Sequence, residues 1–510
     1  MLSQKADLRE LIRIIQLNGN KKANSIFTAK KKDTKIRRLA RKFAFEKDPD
    51  EQAWALEICD GPENSTSYIL HRSVLKRQLL SQTFHLEPRT GSERRKAIYK
   101  SQKSVFNVNV LLLFGARRTA ISLIPVAMKV TMDFELTSDR VTLLEALCEN
   151  ASLNGWRKKF EQYDRELQET MRLRNAEVKI SSLLQQINAE SVGRARPSLR
   201  ARRLAENAPD EARALFREFP TFTVRLAYYR ITIGSAQMED NFVVGLNLCE
   251  EAQKFLSHFP RLHTPASQGE FESNRLWMAL SSRYYGVASE SASRCQKLFG
   301  LGTNNWFIAR EYEFLLKMHT KQWRDAVLIQ KLIISHPRFF SQPDQVRQKW
   351  ELFGYYAALT SGAEQSPIPT TKKKSFAKIL QEIPVYRHEK FGYNASLLIL
   401  QYLILASRSD RKGLVEKTEA LTKYIYRHFD GQHERHTYAF LKTLTVLTNS
   451  DFDFEKASAR AKRYIELFTS IERERVDESQ VLPYDMMWGW IREWTKESQL
   501  LNGGAKLIHR

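Results

Sequence analysis

The chain is poor in residues that break regular structure. Only 20 Gly and 15 Pro are spread over 510 residues, below the usual share of turn formers, and this excludes a loop-rich or low-complexity architecture. Cysteine is scarce as well. Cys59, Cys148, Cys249 and Cys295 lie tens of residues apart, which fits neither a disulfide framework nor the paired knuckles of a zinc site. They are expected to be reduced, buried thiols of a cytoplasmic protein. The most apolar stretch, residues 106–130, is broken by Arg117 and Arg118 and contains Pro125, so it fails as a membrane span. The opening residues carry charges throughout and read as an amphipathic helix, not as an export leader with an apolar centre.

Chemistry-bearing patterns are missing too. The sequence has no G-x4-G-K-[ST] phosphate loop, no G-x-G-x-x-G, no H-E-x-x-H, no C-x-x-C and no G-x-S-x-G elbow, so none of the common nucleotide, metal or nucleophile motifs is available. His428, His433 and His436, with Asp430 and Glu434 near them, are the nearest approach to a metal cluster, but Asp430-Gly431 reads as a turn between helices, where polar residues gather anyway. The carboxylate pairs Glu311/Glu313 and Glu472/Glu474 come with no partner that would push two pKa values apart. No catalytic residue, cofactor or metal is assigned, and the enzyme reading is left to a cryptic site assembled from distant helices.

What the chain does have is helix. Hydrophobic residues make up 42% and aromatics 11%, enough for a large core, and their spacing is that of amphipathic helices. The fold class is all-α, an irregular α-solenoid or stacked helical hairpins. Residues 1–192 read as a basic helical domain with helices near 3–17, 34–46, 50–59 and 65–82, a helix pair over 96–151 and one long helix over 156–190. In that long helix Trp156, Phe160, Tyr163, Leu167, Met171 and Val178 recur at threes and fours. Residues 193–204 read as a linker, 205–360 as a hairpin block, 361–376 as a second linker with Pro367 and Pro369, and 377–510 as a last hairpin block. Within it, residues 394–407 are apolar on nearly every side and should be a buried central helix. Trp488, Trp490 and Trp494 belong to a terminal helix that docks on the core.

Charge is the second strong signal. The formal net charge is +23, and residues 1–203 hold 39 Lys and Arg against 23 Asp and Glu. Two clusters stand out as a candidate polyanion-binding set: Lys30, Lys31, Lys32, Lys35, Arg37, Arg38, Arg41 and Lys42, then Arg194, Arg196, Arg200, Arg202 and Arg203. Cations grouped in this way neutralise phosphates and release counterions. From Asp33, a candidate N-cap, the sequence gives a helix with Ile36, Leu39, Ala40 and Phe43 on one face and Lys35, Arg38, Arg41 and Lys42 opposite. In the helix near 65–82, Tyr68, Ile69, Val74 and Leu75 alternate with Arg72, Lys76 and Arg77. Both are equally the pattern of a solvated basic face, and no aromatic interleaving or zinc module accompanies them, so base-specific reading is not supported.

Four segments share a pattern of small residues on one helix face: Gly115, Ala120, Ile124 and Ala127; Phe242, Gly245, Cys249 and Ala252; Trp323, Ala326, Gln330 and Ile333; Phe454, Ala457, Ala461 and Tyr464. This resembles the second half of a tetratricopeptide repeat, in which small residues let two antiparallel helices approach closely. The whole chain is also loosely similar to uncharacterised bacterial helical proteins, a likeness that implies no activity. The tetratricopeptide resemblance implies a grooved surface for a protein or peptide. The expected function is therefore a non-catalytic helical-repeat scaffold or regulatory protein whose partner lies in the groove of residues 205–510. The rival is a nucleic-acid-binding protein that contacts phosphate backbone through the basic amino-terminal helices.

Overall fold

A computed structural model describes residues 4–28, 33–46, 50–88, 91–191, 199–361, 393–428, 435–469 and 480–507. Among the described residues there are 21 α-helices and no strand. Successive helices pack against each other as stacked hairpins, and the protein is all-α. The chain divides into two compact units, Met1–Arg174 and Asn175–Arg510.

In the first unit, helices α1 (Gln4–Asn18), α2 (Lys35–Phe45), α3 (Glu51–Cys59) and α4 (Thr66–Gln82) close a core of Leu8, Ile12, Ile15, Leu39, Phe43, Trp54, Ile58, Tyr68, Leu75 and Leu79. Each such side chain withdrawn from water contributes about 1.5–3 kcal/mol. The cap of α2 is Thr34, whose hydroxyl accepts from the Arg37 amide at 3.3 Å. Asp33, expected as the cap, instead accepts from Arg41 at 2.7 Å, because an ion pair with a cation two turns on satisfies its carboxylate while the neighbouring hydroxyl caps the helix. On α4 the spacing misplaces one residue: Ile69 is exposed and Leu79 is buried.

The stretch 96–151, expected as a helix pair, falls within three helices: α5 (Glu93–Leu113), α6 (Arg117–Asp133) and α7 (Thr137–Leu153). Pro125 sits inside α6 on its exposed side and does not break it. The long helix is present as α8 (Arg157–Ser191). Tyr163 and Leu167 of α8 pack on Leu144 and Cys148 of α7, so the two helices run back along each other. The rest of the apolar stripe of α8 is only partly used, since Trp156, Phe160, Met171 and Val178 stay exposed.

The second unit begins where Ala176, Ile180 and Ile187 of α8 meet α9 (Leu199–Glu218) and α10 (Phe222–Met238). Residues 199–204, read from sequence as part of a linker, belong to α9. Hairpins then follow: α10 with α11 (Phe242–Ser257), α12 (Pro265–Ser281) with α13 (Tyr285–Leu298), α14 (Asn304–His319) with α15 (Trp323–Ile334), α16 (Asp344–Ser361), α17 (Tyr393–Ser407) with α18 (Arg411–His428), α19 (Arg435–Thr448) with α20 (Phe454–Thr469), and α21 (Tyr484–Leu507). The expected central helix is α17, buried from Asn394 to Ala406. The terminal helix docks through Trp488, stacked on Phe454 at 4.6 Å between ring centroids. The second expected linker lies almost wholly outside the described residues.

One turn geometry recurs across both units. Gly115, Glu135, Gly155, Asp240, Arg283, Lys321, Ser409 and Asp451 all have positive φ and follow the end of a helix. Behind Asp240 the Asn241 amide donates to the Ala236 carbonyl at 2.7 Å, and Asp240 itself to Gln237. The same two bonds recur at Arg283, Lys321, Ser409 and Asp451. This Schellman closure satisfies the last carbonyls of one helix and reverses the chain into the next. Asp240, Arg283 and Lys321 are spaced at about 40 residues, like the helical units of long α-repeats. Five residues beyond three of these turns lie Gly245, Ala288 and Ala326, all buried. A Cβ on Gly245 would stand 2.2 Å from the Met278 sulfur of α12, which measures how closely the hairpins approach.

Candidate functional site

The basic helix α2 carries the described part of the first cation cluster. Lys35 pairs with Asp60 at 3.3 Å, Arg41 with Asp33 at 2.7 Å, and Arg38 lies 3.9 Å from Asp33. Lys42 bridges Glu57 at 2.8 Å and Glu46 at 2.9 Å. Hydrogen bonds to Glu57 and Glu46 raise its pKa, and Lys42 in turn holds the Glu46 carboxyl below its usual range. Glu46 also accepts from the Trp54 indole at 2.6 Å. On α4, Arg72 pairs with the buried Glu51 and Lys76 with Asp7. The basic face is thus interlocked with carboxylates from α1, α3 and the adjoining turns. The partly exposed pairs on α2 are worth about 0–1 kcal/mol each, so a phosphate could displace them, but the free positive charge is smaller than the count of cations suggests.

Of the second cluster, Arg200 lies 3.7 Å from Glu190 and Arg203 is exposed on α9. Lys30, Lys31, Lys32, Arg194 and Arg196, and the side chain of Arg202, lie outside the described residues. The two clusters belong to different units. His433, Asp430 and Glu434 also lie outside them, and among the described residues no group of His, Cys, Asp and Glu could hold a metal. Glu311 and Glu313, spaced like a catalytic pair in sequence, serve as buried ion-pair partners: Lys349 of α16 bonds the first, and Arg310 and Gln296 the second.

Sequence reasoning missed the interior of the second unit, where charged groups tie successive helices together. Arg230 of α10 grips Glu270 of α12 through two nitrogens at 2.9 and 2.6 Å. Arg275 of α12 reaches Glu250 of α11 and Glu290 of α13. The buried Glu272 accepts from Arg294 of α13 at 3.0 Å. Burial first, and then the nearby Glu272 carboxylate, push the Cys249 and Cys295 thiols up to about 12. All four cysteines are free and buried, so these are inert core groups and not nucleophiles. No amphipathic pattern announces such residues, because on the inner helices α12 and α14 nearly every side is covered.

A cleft opens near the carboxyl end of the described chain. Tyr402 and Ala406 of α17, Leu414 of α18, Leu447 of α19, and Ile491 and Trp494 of α21 line it, with Ser409 and Arg411 at the turn between α17 and α18. Its wall is mainly apolar. Arg411 places its guanidinium carbon 5.7 Å from the centre of the Phe452 ring, a cation–π contact that holds a charge beside an apolar recess. Sequence reading placed Trp494 in a docking helix and had no signal for the cleft, since its walls come from four separate helices. No helix among the described residues is long and apolar enough to cross a membrane. No family model matches the chain, and comparison with curated proteins and with solved structures likewise gives no match.

Proposed function

We propose that the chain is a non-catalytic scaffold whose carboxyl-terminal hairpins hold a protein or peptide partner. The observation that supports this reading is the apolar cleft between α17, α18, α19 and α21, with Arg411 at its edge. A recess of this chemistry suits one apolar side chain of a peptide, and a carboxylate next to that side chain would meet Arg411. We read the hairpins as degenerate tetratricopeptide-like units, on the strength of the buried small residues Gly245, Ala288 and Ala326 at one place in each. Their interval of about 40 residues is longer than the 34 of the standard repeat.

The test is selection of a random peptide library on the full-length protein, followed by titration of the selected peptides against Ala406→Trp, which fills the cleft, and Arg411→Gln. Saturable binding that Ala406→Trp abolishes and Arg411→Gln weakens for acidic peptides supports the scaffold reading. Peptides whose affinity ignores both substitutions would move the partner elsewhere. The nucleic-acid reading rests on the excess of cations in residues 1–203 and is tested in parallel, by anisotropy with mixed DNA and RNA over a salt series. A steep log–log slope that flattens when Lys35, Arg37, Arg38, Arg41 and Lys42 become Gln would favour it.

A further inference from the structure

One end of the α5–α8 array bears apolar side chains that none of the described residues covers. The α5–α6 turn presents Leu113 and Phe114, 79% and 80% exposed, and the α7–α8 turn presents Leu153 and Trp156, 65% and 46% exposed. These two turns lie at the same end. Arg117, at the start of α6, pairs with Glu149, in the last turns of α7, at 2.8 Å, while at the opposite end Arg94 of α5 donates to the Phe134 carbonyl after α6. Both turns carry a glycine with positive φ, Gly115 and Gly155, and at each a Cβ would meet open space. The turns therefore protrude freely.

Cations frame these apolar tips. Arg117 and Arg118 follow the first turn; Arg157, Lys158 and Lys159 follow the second. The acids at this end are Glu149 and Glu161, paired with Arg117 and Arg157. Arg118, Lys158 and Lys159 have no ion pair among the described residues, and the Lys159 ammonium lies 4.6 Å from the centre of the Trp156 ring. We propose that this end of the array is a docking tip for an anionic lipid surface: Leu113, Phe114, Leu153 and Trp156 enter the interface while Arg118, Lys158 and Lys159 meet lipid phosphates.

Two features favour lipid over a protein partner. The apolar groups project from turns at the end of the array instead of lining a recess, whereas a protein hot spot fills a pocket. Lysine is depleted at protein–protein interfaces but enriched, with tryptophan and phenylalanine, where a protein lies on a membrane surface. Each cation near an anionic surface adds attraction that falls off within a Debye length. The tip stands in the first unit and does not depend on the peptide cleft of the second.

The experiment is co-sedimentation of the full-length protein with vesicles of phosphatidylcholine alone and of an equimolar mixture with phosphatidylglycerol. Binding is expected to the anionic vesicles, with little to the neutral ones, and to weaken with salt. Arg118→Gln/Lys158→Gln/Lys159→Gln should lower the partition coefficient on the order of a hundredfold. Phe114→Ser/Trp156→Ser should abolish pelleting, and Leu113→Ser, on a turn residue with no core role, should weaken it in the same direction. Brominated lipid should quench part of the tryptophan emission of the native chain, and that part should be missing in Trp156→Phe. No pelleting with anionic vesicles at low salt overturns the proposal. So does pelleting that survives both multiple variants, or a concentration-dependent dimer without lipid that Phe114→Ser dissolves, which would make the tip a protein contact.

Discussion

His319, the last residue of α14, donates its Nε2 proton to the carbonyl oxygen of Gln480 at 2.8 Å, across 161 residues of sequence. The ring is buried, and among the described residues neither its Nδ1 nor either side-chain polar atom of Gln480 has a hydrogen-bond partner. Burial pulls the His319 pKa down to about 4; the nearby Arg283 acts in the same direction, against the Gln480 carbonyl and Asp485. This contact joins the third hairpin of the second unit to the segment that precedes α21.

The histidine gives the protein an acid limb. Between its ordinary pKa and the folded value, the unfolded chain binds a proton that the folded chain does not, so stability is full above about pH 6.5 and declines as pH falls toward 4. The loss at pH 5 should be about 2 kcal/mol from this group. Urea unfolding at pH 7 and pH 5 measures it, and His319→Gln should flatten the difference. An unchanged difference in the variant would assign the acid limb to carboxylates.

The buried Glu272 carboxylate is only 2% exposed, while its partner Arg294 is half exposed. Removing the arginine strands a charge, and removing the charge does not. Arg294→Ala should cost about 3 kcal/mol, and Glu272→Gln about 1 kcal/mol. Denaturant midpoints of the two variants decide it, and the reverse order would contradict this account.

Gly269 in α12 lies against the Phe299 ring, where a Cβ would come within 2.5 Å of a ring carbon. The rigid aromatic has little room to move, so Gly269→Ala should destabilise by about 1–3 kcal/mol despite its better helix propensity. Combining it with Phe299→Leu should give less than the sum of the two single effects in a double-mutant cycle. Additive costs would show that the two positions do not touch.

Lys321 closes the α14–α15 hairpin with φ of 59°, a conformation that strains any residue with a Cβ. Lys321→Gly should raise stability by about 0.5–1 kcal/mol, since the turn itself is kept. Thermal or urea unfolding of the single variant checks this; a loss would mean that the lysine side chain contributes more than its backbone costs.

These turns explain why the hairpins were only partly legible. Glycine marks the closures at Gly115 and Gly155, but Glu135, Asp240, Arg283, Lys321, Ser409 and Asp451 adopt the same left-handed conformation without a glycine. The helix break near residue 135 therefore went unread, and three helices looked like two. The small-residue pattern marks Gly245 and Ala326, and Tyr285, Ala288, Ala292 and Cys295 repeat the same spacing between them, a copy that the sequence reading missed. With one copy unread, the interval of the hairpins was hidden.

The sequence by itself determined the all-helical class, the long α8, the buried α17 and the docking of the terminal tryptophan helix, because hydrophobic periodicity and scarce turn formers act locally. Tertiary structure alone decided which cations are already paired, as Lys42 is with Glu46 and Glu57, and which have no ion pair among the described residues, as Arg118 and Lys158. It also decided that Glu272, Arg275 and His319 are core residues, and that Tyr402, Leu414 and Trp494 share a cleft. Contacts between groups far apart in sequence follow from how helices stack, and no local pattern of side chains encodes them.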